Sequence, residues 1–121
     1  MSESNEELKA AAESKRYVRA SNLAASLGHS EEEVETLRKE ALWQMSAVFR
    51  NASGSRILAE QYGLSKKEVE DFLRKRAEEE KERGNTKSLE PTFDYLTNKY
   101  LSFDEWLDQL AKKWDKPADS A

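Results

Sequence analysis

The strongest constraint on this chain is that it resembles itself at a short period, so whatever it folds into must accommodate like units placed in succession. Residues 21–37, SNLAASLGHSEEEVETL, align without a gap on residues 56–72, RILAEQYGLSKKEVEDF, at an offset of 35 residues. Leu23, Ala24, Gly28, Ser30, Glu33, Val34 and Glu35 stand where Leu58, Ala59, Gly63, Ser65, Glu68, Val69 and Glu70 stand. A looser third copy, YLTNKYLSFDEWLDQL at 95–110, sets Ser102, Glu105, Trp106 and Leu110 in the same roles without the glycine. Each copy centres on a serine followed three residues later by a glutamate. That spacing predicts a capping box, in which the serine hydroxyl and the glutamate carboxylate each accept a backbone N–H that the helix start leaves unpaired. Helices are therefore expected to begin at Ser30, Ser65 and Ser102. Leu64 and Leu101, one residue earlier, are placed to staple onto Val69 and Trp106, while His29 takes that place before Val34.

Periodicity and breakers extend the pattern to the whole chain. Helices are predicted near 4–16, 19–27, 30–50, 55–62, 65–83, 91–99 and 102–114. Gly28, Gly54, Gly63 and Gly84 fall at expected helix ends, and Pro91 falls in an expected first turn. Val34, Leu37, Ala41, Met45 and Val48 recur at spacings of three and four, as do Phe103, Trp106, Leu107, Leu110 and Trp114, so both stripes are expected in the core. Residues 78–83, EEEKER, contain no apolar member and are expected to project into solvent or lean on a partner. The fold class expected is all-α, an orthogonal multi-helix bundle built from two or three helix-turn-helix repeats near 19–50, 55–83 and 91–114. One helical domain over 5–115 is expected between a disordered start at 1–4 and a disordered tail at 116–121.

Composition narrows the function. The chain has no cysteine and one histidine, His29, so thiolate or histidine metal sites are not expected, and neither is a cofactor. No apolar run approaches the roughly 18 residues of a membrane span, and the opening MSESNEELK lacks the basic then apolar order of a secretory signal. A cytoplasmic protein is expected. Asn51-Ala52-Ser53 matches a glycosylation acceptor that a cytosolic chain does not meet. The net charge of −4 has the wrong sign for coating nucleic acid indiscriminately, so any contact with DNA has to be local. The carboxylates lie in solvated helical runs without a nucleophile–base pair or a glycine-rich phosphate loop, so no catalytic residue is assigned.

The second copy resembles the helix-turn-helix superfamily of DNA-binding proteins over residues 55–74. The resemblance rests on Ala59, Gly63, Val69 and Phe72: a small residue where two helices close, a glycine at the turn, and apolar residues on the second helix facing inward. It implies that the outward face of that helix carries Ser65, Lys66, Lys67, Glu70, Asp71 and Arg74 toward a major groove, with Lys66, Lys67 and Arg74 available to phosphates or guanine and Arg56 adding a backbone contact. Arg50, on the other side of Gly54, is expected to help in the same way. Residues 65–84 carry as many acidic as basic side chains, and the matching positions of the first copy are Ser30, Glu31, Glu32, Glu35, Thr36 and Lys39. Only the middle unit is therefore suited to DNA.

Two functions remain open on this basis. One is a small DNA-binding protein, a transcriptional regulator that reads duplex DNA through Arg56, Ser65, Lys66, Lys67 and Arg74 and forms a homodimer along its long third helix. The other is a non-catalytic helical adaptor or accessory subunit that binds a protein partner through its acidic helix faces.

Overall fold

A computed structural model of the protein describes residues 2–95 and 97–114. The expected tail at 116–121 lies outside the described residues. The chain forms two compact units that meet in sequence between Gln44 and Met45.

The first unit holds three helices, α1 (Ser2–Glu13), α2 (Tyr17–Ser26) and α3 (Glu31–Trp43). Helix α1 begins at Ser2. Helix α2 packs on both α1 and α3, and it does so through small residues: Ala20, Ser21 and Ala24 are all buried, which lets the backbones approach. The Ser21 hydroxyl stays satisfied by donating to the Val18 carbonyl at 2.9 Å. Lys15 closes α1 in the left-handed region at φ 59°, and its carbonyl accepts from the Gln44 amide at 2.7 Å.

The second unit contains α4 (Ala52–Gln61), α5 (Lys66–Glu82), a single 3-10 turn (Lys87–Leu89), strands β1 (Thr92–Asp94) and β2 (Lys99–Leu101), and α6 (Phe103–Trp114). Helix α6 packs on α5, on β2 and on the 3-10 turn. Its stripe of Phe103, Trp106, Leu107 and Leu110 is buried as the periodicity predicts, with Trp114 half-buried. On α5 the buried positions are Val69, Leu73, Ala77 and Glu80, spaced four, four and three apart. Phe72, expected inward, is half-buried, because Leu73 takes the position facing the core.

The two turns that carry the internal match share one backbone conformation. Before α3, the Leu27 and His29 N–H groups donate to Leu23 and Ala24 at 2.9 and 3.0 Å around Gly28 at φ 76°. Before α5, those of Tyr62 and Leu64 donate to Leu58 and Ala59, both at 2.9 Å, around Gly63 at φ 70°. A Cβ added to either glycine meets nothing within 4 Å, so the positive φ, not lack of space, calls for glycine. The caps then diverge in detail. Ser65 and Glu68 form the complete reciprocal box, as do Ser102 and Glu105. Ser30 accepts from the Glu33 N–H at 3.2 Å, but the Glu33 carboxylate turns to the His29 ring, whose Nδ1 lies 2.6 Å from Oε2.

Four expectations are corrected. The helix predicted near 91–99 is an antiparallel hairpin in which Thr92 faces Leu101, Phe93 faces Tyr100 and Asp94 faces Lys99, so α6 is entered from a strand and the third copy lacks a first helix. Asp94 builds the turn: its Oδ2 accepts from the Thr97 N–H at 3.0 Å and the Thr97 hydroxyl at 2.6 Å, and Asn98 takes the left-handed region at φ 60°. Pro91 precedes this hairpin rather than opening a helix. The helix predicted over 30–50 ends at Trp43 and gives way to a π-helical turn at Gln44–Val48. A π turn holds more residues than an α turn, which shifts the register of everything after it. Val34 and Ala41 are buried, Leu37 and Met45 are half-buried, and Val48 emerges 54% exposed. Gly54 lies inside the first turn of α4, not at a left-handed helix end. Its missing side chain makes room for Met45, whose Sδ would lie 2.6 Å from an added Cβ.

Candidate functional site

The residues assigned to DNA from sequence all lie in the second unit, where most are already engaged. Ser65 is exposed at the start of α5, but its N–H and hydroxyl are both committed to Glu68, at 3.1 and 3.2 Å. Lys66 beside it is half-buried. Lys67 is exposed, its ammonium 3.4 Å from Asp71 one turn along the helix. Arg74 lies nine residues after Ser65, about 13 Å along the axis at 1.5 Å per residue, and donates across to Asp108 of α6 at 3.0 Å. Arg56 is half-buried on α4, its Nε 3.8 Å from Glu60. The first turn of α5 thus presents Ser65, Lys66 and Lys67 together, while Arg74 and Arg56 are held elsewhere by carboxylates.

Arg50 does not serve this face. It sits after the π-helical turn in the left-handed region at φ 50°, and its guanidinium donates to four backbone carbonyls: Ala47 at 3.2 Å, Leu101 at 3.2 Å, Ser88 at 2.9 Å and Glu90 at 3.1 Å. The same group lies 5.4 Å from the centre of the Phe103 ring. Burial lowers its pKa, yet an arginine so placed keeps its charge. Arg50 is therefore a tie that joins the hairpin and the 3-10 turn to the start of α4.

The segment 78–83 is also more integrated than its composition suggests. Glu80 is buried, and its Oε1 accepts from Arg76 at 2.9 Å and from Arg83 at 3.2 Å. The Arg76 hydrogen bond is the main cause that holds this carboxyl below the usual glutamate range, and burial works against it. At the surface, the Ser102 backbone N–H and hydroxyl likewise lower the pKa of Glu105.

The tie at Arg50 helps shape a feature that sequence did not announce. A groove of about 480 Å³ opens between residues 48–53, the hairpin residues 92–95 and one side of α6. Phe49 and Tyr95 stand on its walls 60% and 88% exposed, with Val48 beside them and the buried Trp106 and Leu110 behind. Phe93 joins the hairpin aromatics into one cluster, its ring edge-on to Tyr95 at 5.0 Å and to Tyr100 at 5.3 Å. The charged lining residues are Arg50, Asp94 and Lys113. Asn51, also in the lining, spends its side chain capping α4 through the Gly54 N–H at 2.8 Å. The only sequence signal for this site was the density of aromatic residues in FDYLTNKY at 93–100, which the expected helix had absorbed. Among the described residues no helix is long and apolar enough to cross a membrane. Searches of family models, of curated proteins and of solved structures gave no match to this chain.

Proposed function

We infer that the protein is a non-catalytic adaptor that binds another protein, and that it does so through the groove of its second unit. The observation that carries this reading is the clustering of Val48, Phe49, Tyr95 and Tyr100, four large apolar or aromatic side chains between 54% and 88% exposed, around one concavity and its hairpin wall. Scattered single apolar residues are ordinary on a surface, whereas a contiguous group beside a groove is the signature of a binding surface. The exposed acidic residues Glu31, Glu32 and Glu35 of α3 offer a second, more polar surface in the first unit.

Duplex DNA is the second reading, and one observation favours it: the turn from α4 to α5 puts Ser65, Lys66 and Lys67 at an exposed helix start. Against it, Lys67 and Arg74 are matched by Asp71 and Asp108, and a phosphate would have to displace those carboxylates. Titration of mixed-sequence duplex DNA at low and moderate salt separates the readings. An adaptor shows no binding at either salt, whereas a regulator binds, weakens steeply as salt rises, and loses that binding when Lys66 and Lys67 are both replaced by Ala. The second result would overturn the adaptor reading.

A further inference from the structure

Resting on the adaptor reading, we propose that the occupant of the groove is an extended, acidic peptide segment of a partner protein, which adds to the free edge of β1 and seats a large apolar side chain against Phe49 and Tyr95. Three independent features of the groove converge on that chemistry.

Shape comes first. The walls are side chains that stand more than half exposed, so the site is an open trough suited to one side chain of a passing chain, not a closed cavity for a free small molecule. Backbone comes second. Strand β1 runs along the trough, since Thr92, Phe93, Asp94 and Tyr95 all line it. Among the described residues β1 pairs with β2 on one edge, and no strand pairs with its other edge. An edge strand beside an apolar trough is the arrangement that captures a peptide as an added strand, with main-chain hydrogen bonds for affinity and alternate side chains for specificity.

Charge comes third, and it selects the sign of the partner. The chain as a whole is acidic at −4, yet this trough is locally basic. Of its three charged lining residues, Arg50 and Lys113 are positive. The one negative residue, Asp94, keeps its charge while its Oδ2 accepts from Thr97, and it stands directly across the ladder from Lys99, so the lining carries one more positive than negative side chain. Among the described residues Lys113 has no ion-pair partner. Ala52 and Ser53, the first residues of α4, also line the trough, which places the positive end of that helix dipole beside it. Acidic side chains flanking an aromatic or aliphatic anchor match the positive lining residues and the apolar walls of this surface.

The test uses the full chain and fluorescence anisotropy with three synthetic peptides. One carries a central Trp flanked by Asp and Glu, the second replaces those acids with Lys, and the third keeps the acids but has Pro on both sides of the Trp, removing two strand donors. The acidic peptide is expected to bind at least about tenfold more tightly than either of the others. Phe49→Ala and Tyr95→Ser should each weaken it by about tenfold, and Lys113→Glu should reverse the preference between acidic and basic peptides. All three positions are solvent-accessible, so the variants are expected to fold, and urea melts check this. Equal binding of acidic and basic peptides, or binding that survives all three substitutions, would overturn the groove as the docking site while leaving the adaptor reading intact. Absence of binding by all three peptides would likewise overturn the proposal. Failure of the adaptor reading itself has a different signature, salt-dependent DNA binding abolished by the Lys66 and Lys67 substitutions.

Discussion

Replacing Arg50 with Met should destabilise the protein more than any other exposed or half-exposed substitution in the second unit. The side chain makes four hydrogen bonds to carbonyls, and three of them, to Ala47, Leu101 and Ser88, lie in part-buried surroundings. The fourth, to Glu90, is exposed, and water takes it over when the guanidinium is removed. A charge-assisted hydrogen bond contributes about 1.5–3 kcal/mol, and partial access of water reduces each of the three to about 1 kcal/mol, so Arg50→Met should cost about 3 kcal/mol. Against a total stability of about 5–15 kcal/mol and a urea slope of about 1–1.5 kcal/mol per molar, the midpoint moves down by about 2–3 M. Arg50→Lys keeps the charge but cannot fork to the three part-buried carbonyls, so it should recover less than half of the loss. The backbone supplies an internal check: at φ 50° a glycine escapes about 1 kcal/mol of left-handed strain that an alanine bears, so Arg50→Gly should be more stable than Arg50→Ala. Equilibrium urea unfolding followed by circular dichroism reads all four variants. A midpoint for Arg50→Met within about 0.5 M of the parent would refute the view that Arg50 ties the hairpin and the 3-10 turn to the start of α4.

Glu80 should give the protein a distinct acid response. Its folded pKa lies below its unfolded one, so its stabilisation is fully present above the ordinary glutamate range and is lost as pH falls through the folded value. The stability gap between parent and Glu80→Gln, about 1–3 kcal/mol at neutral pH, should therefore close on acidification, and a gap that stays constant down to pH 3 (about one unit below an ordinary glutamate) would contradict this. Gly54→Ala should destabilise by about 1–2 kcal/mol although alanine favours helix by about 1 kcal/mol, because the new methyl group collides with Met45 and with the capping side chain of Asn51. Combining it with Met45→Ala should restore part of the loss in a thermal melt, and no restoration would point away from that collision. Ser65→Ala removes one member of a complete capping box and Ser30→Ala one member of an incomplete box, so the former should cost more, each within about 0.5–2 kcal/mol by urea unfolding.

The helix starts were the most legible part of the structure. Ser30, Ser65 and Ser102 each cap a helix as their spacing with glutamate predicts, because a capping box is a local device whose geometry depends on four consecutive residues. The stripe of α6 was legible for a related reason: a helix with one buried face repeats its apolar positions at a period that no other element shares. Strand pairing is different, since three-residue strands are too short to display an alternation, and the residues that favour them in TFDYLTNKYL can also be arranged on a helix. The left-handed Asn98 and the Asp94 side chain that closes on Thr97 are the physical signals of the turn, and both were readable as turn chemistry had Pro91 not suggested a helix start.

The candidate site escaped sequence analysis because it is made where regular structure fails. Phe49 and Val48 continue the apolar stripe of α3 in sequence, and an uninterrupted α-helix would have carried that stripe onward as core. The π-helical turn at Gln44–Val48 rotates them out of register and leaves them 60% and 54% exposed. Arg50, which reaches the carbonyls of the hairpin and the 3-10 turn, holds its own backbone in a left-handed conformation that costs about 1 kcal/mol. A strained backbone, a displaced apolar pair and a short hairpin with one edge not joined to another strand are each unfavourable for stability alone. Their coincidence around one trough, whose charged lining residues are Arg50, Lys113 and Asp94, is the ground on which the proposed binding surface rests.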